Sequence, residues 1–236
     1  MSAGRSGPDE VVDLAEVPVR SLNAALHALG AETNRRLWRV MNPRGRHALA
    51  VGVDVPIDIE IAGHAGYYCA GMNNGARVFI HGNAGNGVAE NMMSGHVHVQ
   101  GDASAAAGAT AHGGMLVIDG NAAARCGISM KGVDIVVGGS VGHMSAFMAQ
   151  AGTLTVLGDA GDSLGDSIYE AQLFVRGAVA SLGSDCIEKP MRDQHRVALA
   201  ARLQAAGIDG VDVGAFRRYG SARRLYHFHV DNAGEY

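Results

Sequence analysis

Eleven histidines among 236 residues make a metal site the first chemistry to consider. His96 and His98 lie two residues apart on a predicted strand, so both side chains should point outward, and His81 lies one repeat earlier on the same face. Imidazoles on adjacent strands can share a zinc ion. No Asp, Glu or Cys falls at a neighbouring outward position with obvious ligand geometry. The spacing therefore favours surface or interface histidines, and it predicts no metal site.

Acidic residues raise a second possibility, which is carbohydrate cleavage. A glycosidase or lyase on a repetitive β-structure needs two carboxylates that face each other. Asp159, Asp162 and Asp166 cluster in sequence, but they share few positions in the repeat, and nothing in the spacing suggests a Ser-His-Asp triad. An independent carbohydrate-active enzyme remains an alternative hypothesis, but the residues themselves predict no catalytic group.

Cofactor and thiol chemistry are also not indicated. Residues 82–87 (Gly-Asn-Ala-Gly-Asn-Gly) have the composition of a phosphate-binding loop, but such a loop needs a helix after it, and here a strand is expected. Cys69, Cys126 and Cys186 are too few and odd in number for a disulfide framework. We expect Cys69 and Cys126 to be buried, inert thiols, because they lie three repeats apart.

The dominant feature of the chain is a glycine at a strict 19-residue spacing. The residues two and four positions before each glycine are aliphatic throughout, which is typical of a strand with one buried face. A fixed period with a fixed hydrophobic phase indicates a solenoid. We interpret the glycines as corners, where a Cβ atom would collide or φ must be positive. They are Gly63, Gly82, Gly101, Gly120, Gly139, Gly158 and Gly177.

These observations predict an all-β fold, a right-handed parallel β-helix of about seven 19-residue coils with short helical caps at both ends. The predicted organisation is an N-terminal segment and cap over residues 1–56, the β-helix over residues 57–186, and a helix with a basic and aromatic tail over residues 187–236. The N-terminal helix should follow Ser21 as its cap and end before Gly30. The C-terminal helix should span about residues 192–206.

The composition excludes some classes of partner. A net charge of −4 gives no overall attraction to nucleic acid, and no run of 18 apolar residues predicts a membrane span. The polar N-terminus lacks an apolar signal region, so we expect a cytoplasmic protein.

Two groups of residues instead suggest a protein partner. Three residues before successive glycines, at positions that should face outward, the side chains are often large and apolar, which is unusual on a free surface. The tail adds clustered arginines among aromatic residues. The alternative is that a terminal segment of the chain covers the apolar stripe. The candidate interface residues are Phe79, Val117, Val136, Phe174, Arg217, Arg218, Arg223 and Arg224.

The glycine repeats, as in 63–66, 82–87 and 139–142, resemble the GXGXG domain of glutamate synthase large subunits, which also occurs as a separate subunit. Residues 12–29, 37–52 and 216–228 make the chain most similar to the stand-alone small subunit of N-methylglutamate synthases. The C subunit of formylmethanofuran dehydrogenases shares the glycine pattern, so a subunit of a formyl-transfer complex is the alternative. At Ser104, Ala123 and Ala180 a small residue replaces the second glycine of the motif.

The resemblance implies a hetero-oligomeric complex that converts methylamine and L-glutamate to N-methyl-L-glutamate and ammonia. An amidotransferase-like subunit and an FMN-dependent, iron–sulfur synthase subunit would carry the active sites and cofactors, and this chain would brace them. The family assigns no catalytic residue to this domain. The sequence also lacks the cysteine cluster that an iron–sulfur centre needs.

Overall fold

The computed structural model describes residues 8–224; residues 1–7 and 225–236, which hold the start of the predicted N-terminal segment and the end of the predicted tail, lie outside the described part. The predicted parallel β-helix is confirmed. The two α-helices of the described part are α1 (Val19–His27) and α2 (Asp193–Ala205). The strands are β1 (Glu10–Asp13), β2 (Leu37–Met41), β3 (Asp58–Ile61), β4 (Asn74–Ile80), β5 (Ser94–Val99), β6 (Met115–Ile118), β7 (Lys131–Val137), β8 (Ala151–Val156), β9 (Gln172–Val175), β10 (Cys186–Lys189) and β11 (Arg217–Ser221).

Strands β3 to β9 stack in sequence order as a parallel sheet with the predicted 19-residue register. Ile59 lies beside Val78 and Ile61 beside Ile80, and the pattern continues from coil to coil. The two aliphatic residues of each repeat point into the solenoid, and all are fully buried. A second column of small residues completes the interior through bridges such as Ala65 to Ala84. The alternation seen in sequence is therefore the inside and outside of one sheet.

The sheet extends beyond the repeats at both ends. β1 and β2 pair in parallel with each other and β2 pairs with β3, so the sheet begins before the predicted boundary at residue 57. At the other end the chain returns, and β11 inserts antiparallel between β9 and β10. The final order is β1 to β9, then β11, then β10. Part of the predicted tail is thus a strand of the sheet.

Close approach between coils explains most of the corner glycines. A Cβ atom at Gly101 would collide with Oδ1 of Asn83, and one at Gly120 would collide with Oδ1 of Asp102. Of the seven corner glycines, Gly63 has a positive φ, at 140°. The requirement at the other corners is therefore space for a side chain of the preceding coil, not a left-handed backbone.

The left-handed backbone occurs instead in the turns, including the residue five positions after six of the seven corners. There φ lies between 54° and 69° at Tyr68, Gly87, Ala106, Arg125, Met144 and Ser163. This conformation directs the amide toward the next coil: Arg125 N donates to His143 O at 3.0 Å, and Met144 N donates to Asp162 O at 2.8 Å. The turns therefore stack through backbone hydrogen bonds, as the strands do.

The two helices cover different parts of the solenoid. α1 begins at Val19, before the predicted cap Ser21, and buries Leu22 and Leu26 in the core that runs through the solenoid. Asn23 of α1 accepts a hydrogen bond from Ala50 N and donates one to Ala48 O, which fixes α1 to the first turn. α2 lies on the outer face of the sheet.

Candidate functional site: the outer face of the sheet

The outer face of the sheet holds the predicted apolar stripe, and the chain itself covers most of it. Val117, Val136 and Phe174 are fully buried in a second hydrophobic cluster with Leu199 and Leu203 of α2. The prediction that a partner buries these three side chains is corrected: the alternative, cover by the C-terminal segment, is what the structure shows. The three side chains are buried because the apolar side of α2, with Leu199 and Leu203, packs against them.

Polar contacts fix the position of α2 on the sheet. The guanidinium of Arg202 donates to Oδ1 of Asp134 on β7 at 3.0 Å, and the Thr153 hydroxyl donates to the same carboxylate. The pair is partly buried, so it sets the orientation of α2 as well as contributing attraction. Arg202 Nη1 and the hydroxyl of Thr155 are buried here without a protein partner.

Phe79 is the member of the predicted stripe that remains partly exposed. Its ring centroid lies 6.1 Å from that of His96 and 5.6 Å from that of His98, and the Arg77 guanidinium carbon lies 5.7 Å from the Phe79 centroid. The side chains of these four residues stand on two paired strands, β4 and β5. Together they form a ridge of aromatic and cationic groups, here called the Phe79 ridge.

The histidines that suggested a metal site are held by other contacts. His98 Nε2 lies 2.8 Å from Asp119 Oδ1, and His81 Nδ1 lies 3.1 Å from Gln100 Oε1. Burial lowers the pKa of His96 below its usual 6.5, and the nearby His98 and Arg77 lower it further. Across residues 8–224, no three His, Cys, Asp or Glu side chains converge as a metal site would require.

The predicted basic residues lie at the C-terminal end of the sheet, where three guanidinium groups and the backbone amide of Arg224 have partners. Arg217 and Arg218 belong to β11; Arg217 Nη2 donates to Gly177 O at 3.2 Å, and Arg218 Nε donates to Pro190 O at 3.2 Å. Arg223 pairs with Glu170 at 2.8 Å, and Arg224 N donates to Asp185 Oδ1 at 2.9 Å. These arginines tie the returning chain to the solenoid; their role in binding a partner stays a prediction.

A column of hydrogen-bond acceptors was missed by the sequence analysis. The side chain directly after six of the seven corner glycines accepts a hydrogen bond from the backbone amide of the equivalent residue in the next coil, at 2.7–3.0 Å. The acceptors are His64, Asn83, Asp102, Asn121, Ser140 and Asp159. A residue with an acceptor atom at this position in six of seven repeats was the available signal.

The three clustered aspartates are held by hydrogen bonds, and Asp159 belongs to this acceptor column. Asp159 accepts from the amide of Ala178 at 2.7 Å, Asp162 accepts from the Ser181 hydroxyl at 3.0 Å, and Asp166 accepts from the Ser167 hydroxyl at 2.7 Å. Each carboxylate has its own structural partner, and no two of the three face each other as a catalytic pair would.

The thiols are buried, as expected for Cys69 and Cys126, and the same holds for Cys186. Burial raises the pKa of each thiol to about 12. All three are therefore protonated at neutral pH and poor nucleophiles. Within residues 8–224, no helix is long and apolar enough to cross a membrane.

Comparison with known proteins gives a relative that matches nearly the whole chain. The chain is 61% identical over 226 residues to protein GlxC of Rhizobium meliloti (strain 1021), a match that covers 96% of this chain and 99% of that protein. No protein-family model matches the sequence. No solved structure matches it either.

Proposed function

The chain belongs to the GlxC family, and we propose that it is a non-catalytic scaffold subunit of a glutamate-synthase-like complex of the N-methylglutamate synthase type. In this proposal it braces an amidotransferase-like subunit and an FMN-dependent, iron–sulfur synthase subunit. The complex would convert methylamine and L-glutamate to N-methyl-L-glutamate and ammonia, with both cofactors in the synthase subunit. Support for this specific activity comes from sequence similarity. The glycine repeats resemble the GXGXG domain of glutamate synthases, and residues 12–29, 37–52 and 216–228 resemble the small subunit of N-methylglutamate synthases.

The acceptor column is the observation that carries the scaffold role. Side chains that would be candidates for acid–base chemistry, such as Asp102 and Asp159, are used to bond one coil to the next. Burial raises the pKa of the Cys69 and Cys126 thiols, so these groups stay protonated and do not act as nucleophiles. The periodic polar residues thus serve the rigidity of the solenoid, and a rigid body with a regular face suits the support of other subunits.

Purification of the chain from its source organism, with a tag on the chromosomal copy, tests the proposal. We expect an FMN-containing synthase-like subunit and an amidotransferase-like subunit to copurify in fixed ratio. The purified complex should form N-methylglutamate from methylamine and glutamate, and the isolated chain should not. Reconstitution without this chain should lose the assembly and most of the activity.

Two results would contradict the proposal. Full activity and normal assembly of the other subunits without this chain would remove the scaffold role. Copurification with a zinc amidohydrolase-like protein, and formyl-transfer activity in place of N-methylglutamate formation, would favour the alternative complex instead.

A further inference from the structure

A polar cavity lies where the returning chain joins the end of the sheet. Its volume is about 320 Å³, and its walls come from β9, β10, β11 and the residues just before β9. The side chains of Lys189, Arg218 and Arg223 line it, together with the carboxylate of Glu170. That carboxylate is already paired, since Arg223 Nη2 donates to Glu170 Oε2 at 2.8 Å. The positive charges of Lys189 and Arg218 therefore have no counter-charge of their own on the cavity walls.

Lys189 and Arg218 occupy directly opposed positions on neighbouring antiparallel strands. β10 and β11 pair with Lys189 in register with Arg218, so both side chains stand on the same face of the sheet. Like charges at directly opposed positions destabilise a sheet. Within residues 8–224, neither side chain forms an ion pair with a carboxylate. A negative group held between the two side chains would turn this repulsion into attraction.

Arg218 has hydrogen-bond donors available for such a group. Its Nε donates to Pro190 O at 3.2 Å, and its two Nη groups have no partner among the described residues. Burial lowers the pKa of Arg218 from its usual value, and the nearby Arg192 lowers that pKa further. A guanidinium that presents its terminal amines in this way matches the paired oxygens of a carboxylate or a phosphate.

The form of the cavity favours a small ligand over a macromolecule. Lys189, Arg218 and Gln172 are half-buried on its walls, and Gly220 is buried. A Cβ atom at Gly220 would come no closer than 3.7 Å to Ala171 O and 3.9 Å to Lys189 Cγ, so the missing side chain leaves that part of the cavity open. The volume lies near the lower end of the range of small-molecule sites, about 300–1,000 Å³.

We propose that this cavity binds a small dianion, a phosphate group or a dicarboxylate, between Lys189 and Arg218. The Nη groups of Arg218 hold a pair of oxygens, and the Lys189 ammonium supplies a point charge from the opposed strand. The side-chain amide of Gln172 adds a further hydrogen-bond donor on the wall. A double negative charge matches the two cations that lack a counter-charge. The proposal concerns this chain alone and does not depend on its being a subunit.

Calorimetric titration of the full-length chain tests the proposal. The ligands are inorganic phosphate and succinate, with acetate as the monoanionic comparison, at slightly alkaline pH and low salt. We expect at least one dianion to bind with a Kd of about 1 mM or less, and about tenfold more tightly than acetate. Tighter binding of phosphate would assign the site to phosphate-bearing molecules, and tighter binding of succinate would assign it to dicarboxylates. No saturable binding of either dianion up to about 10 mM, or equal affinity for acetate, would overturn the proposal.

Variants of the lining residues locate the binding. Lys189→Gln and Arg218→Gln should each weaken it about tenfold or more, as expected when a hydrogen bond to a charged group is lost. Lys131→Gln makes the same charge change at an exposed lysine of β7 outside the cavity and should leave the affinity unchanged. Gly220→Val keeps both cations but fills the space between the strands and Ala171, and it should also remove binding.

Thermal unfolding of each variant separates a loss of binding from a loss of folding. Arg218→Gln removes the hydrogen bond to Pro190 O as well, so its stability is expected to fall. The Lys189 side chain forms no hydrogen bond or ion pair in the described part of the chain, and Lys189→Gln should unfold within a few degrees of the wild type. Unchanged affinity of both Lys189→Gln and Gly220→Val would overturn the proposal, because the anion would then bind elsewhere.

Discussion

The backbone amide of Asp102 donates a hydrogen bond of 3.0 Å to Oδ1 of Asn83, and the same oxygen occupies the space that a side chain at Gly101 would need. One atom therefore explains two periodic features of the sequence, the glycine and the polar residue that follows it. The relationship repeats in the next coil, where Oδ1 of Asp102 accepts from Asn121 N at 2.7 Å and fills the space beside Gly120. The 19-residue period is thus a property of the contact between coils.

This relationship predicts that Gly101→Ala destabilises the protein through Asn83. The added methyl group would displace the Asn83 side chain, break its hydrogen bond to Asp102, and cost about 2–3 kcal/mol of unfolding free energy. In an Asn83→Ala background the same substitution should cost clearly less, because the colliding oxygen is gone, although the Gly82 backbone still lies 3.0 Å away. Urea unfolding of the four proteins of this double-mutant cycle measures the coupling.

Equal costs of Gly101→Ala in both backgrounds would contradict this explanation. Such a result would mean that the backbone of Gly82, and not the Asn83 side chain, excludes a side chain at the corner.

The period and the interior could be predicted from sequence because they are local and repeated. Ile59 and Ile61 alternate with outward residues, and the strand geometry converts that alternation directly into burial. The polar residue after each glycine repeats just as regularly. It was missed because a polar side chain at a surface turn is ordinary, and its partner becomes visible only when the coils are stacked.

Features that depend on the path of the non-repetitive chain could not be predicted. The sequence showed that Phe174 is outward and apolar, but whether α2 or another protein covers it depends on the path of the chain after β10. The insertion of β11 beside β9 has the same origin, since Arg218 carries no signal that it pairs with Phe174. The choice between self-cover and partner binding was therefore left open; the structure shows α2 over Phe174 and leaves Phe79 partly exposed.

A second prediction concerns the contact of α2 with the sheet. Leu203 is 3% exposed above the stripe, so Leu203→Ala should remove about 2–4 kcal/mol of unfolding free energy and leave a cavity under α2. Val197 on the same helix is 70% exposed, and Val197→Ala should change stability by less than about 0.5 kcal/mol. Urea unfolding measures both. Similar losses for the two variants would contradict the placement of α2.

A third prediction uses the left-handed turn position. Arg125 has φ of 60°, a conformation that costs about 1–2 kcal/mol for a residue with a Cβ atom and that Gly87 adopts at the equivalent position. Arg125→Gly should therefore stabilise the protein by about 0.5–1 kcal/mol, after allowance for the greater freedom of the unfolded chain. Ala124→Gly, at the preceding residue, should destabilise by a similar amount. Thermal unfolding should separate the two variants in opposite directions.

The opposite order of stability would have a clear meaning. If Arg125→Gly were less stable than Ala124→Gly, the arginine side chain would contribute contacts that outweigh the backbone strain of its turn.

The last prediction is the pH dependence that His96 contributes. Burial, His98 and Arg77 hold the folded pKa of His96 below 6.5, so the unfolded chain takes up a proton at this residue before the folded protein does. The folded state is therefore fully favoured above about pH 6.5 and loses stability as the pH falls toward the lowered pKa. Between about pH 7.5 and about pH 5.5, the unfolding free energy of the wild type should fall further than that of His96→Gln. His143→Gln, which removes an exposed turn histidine outside the Phe79 ridge, is the matched control. If His96→Gln and the wild type lose stability in parallel, His96 does not contribute to the pH dependence of the unfolding free energy.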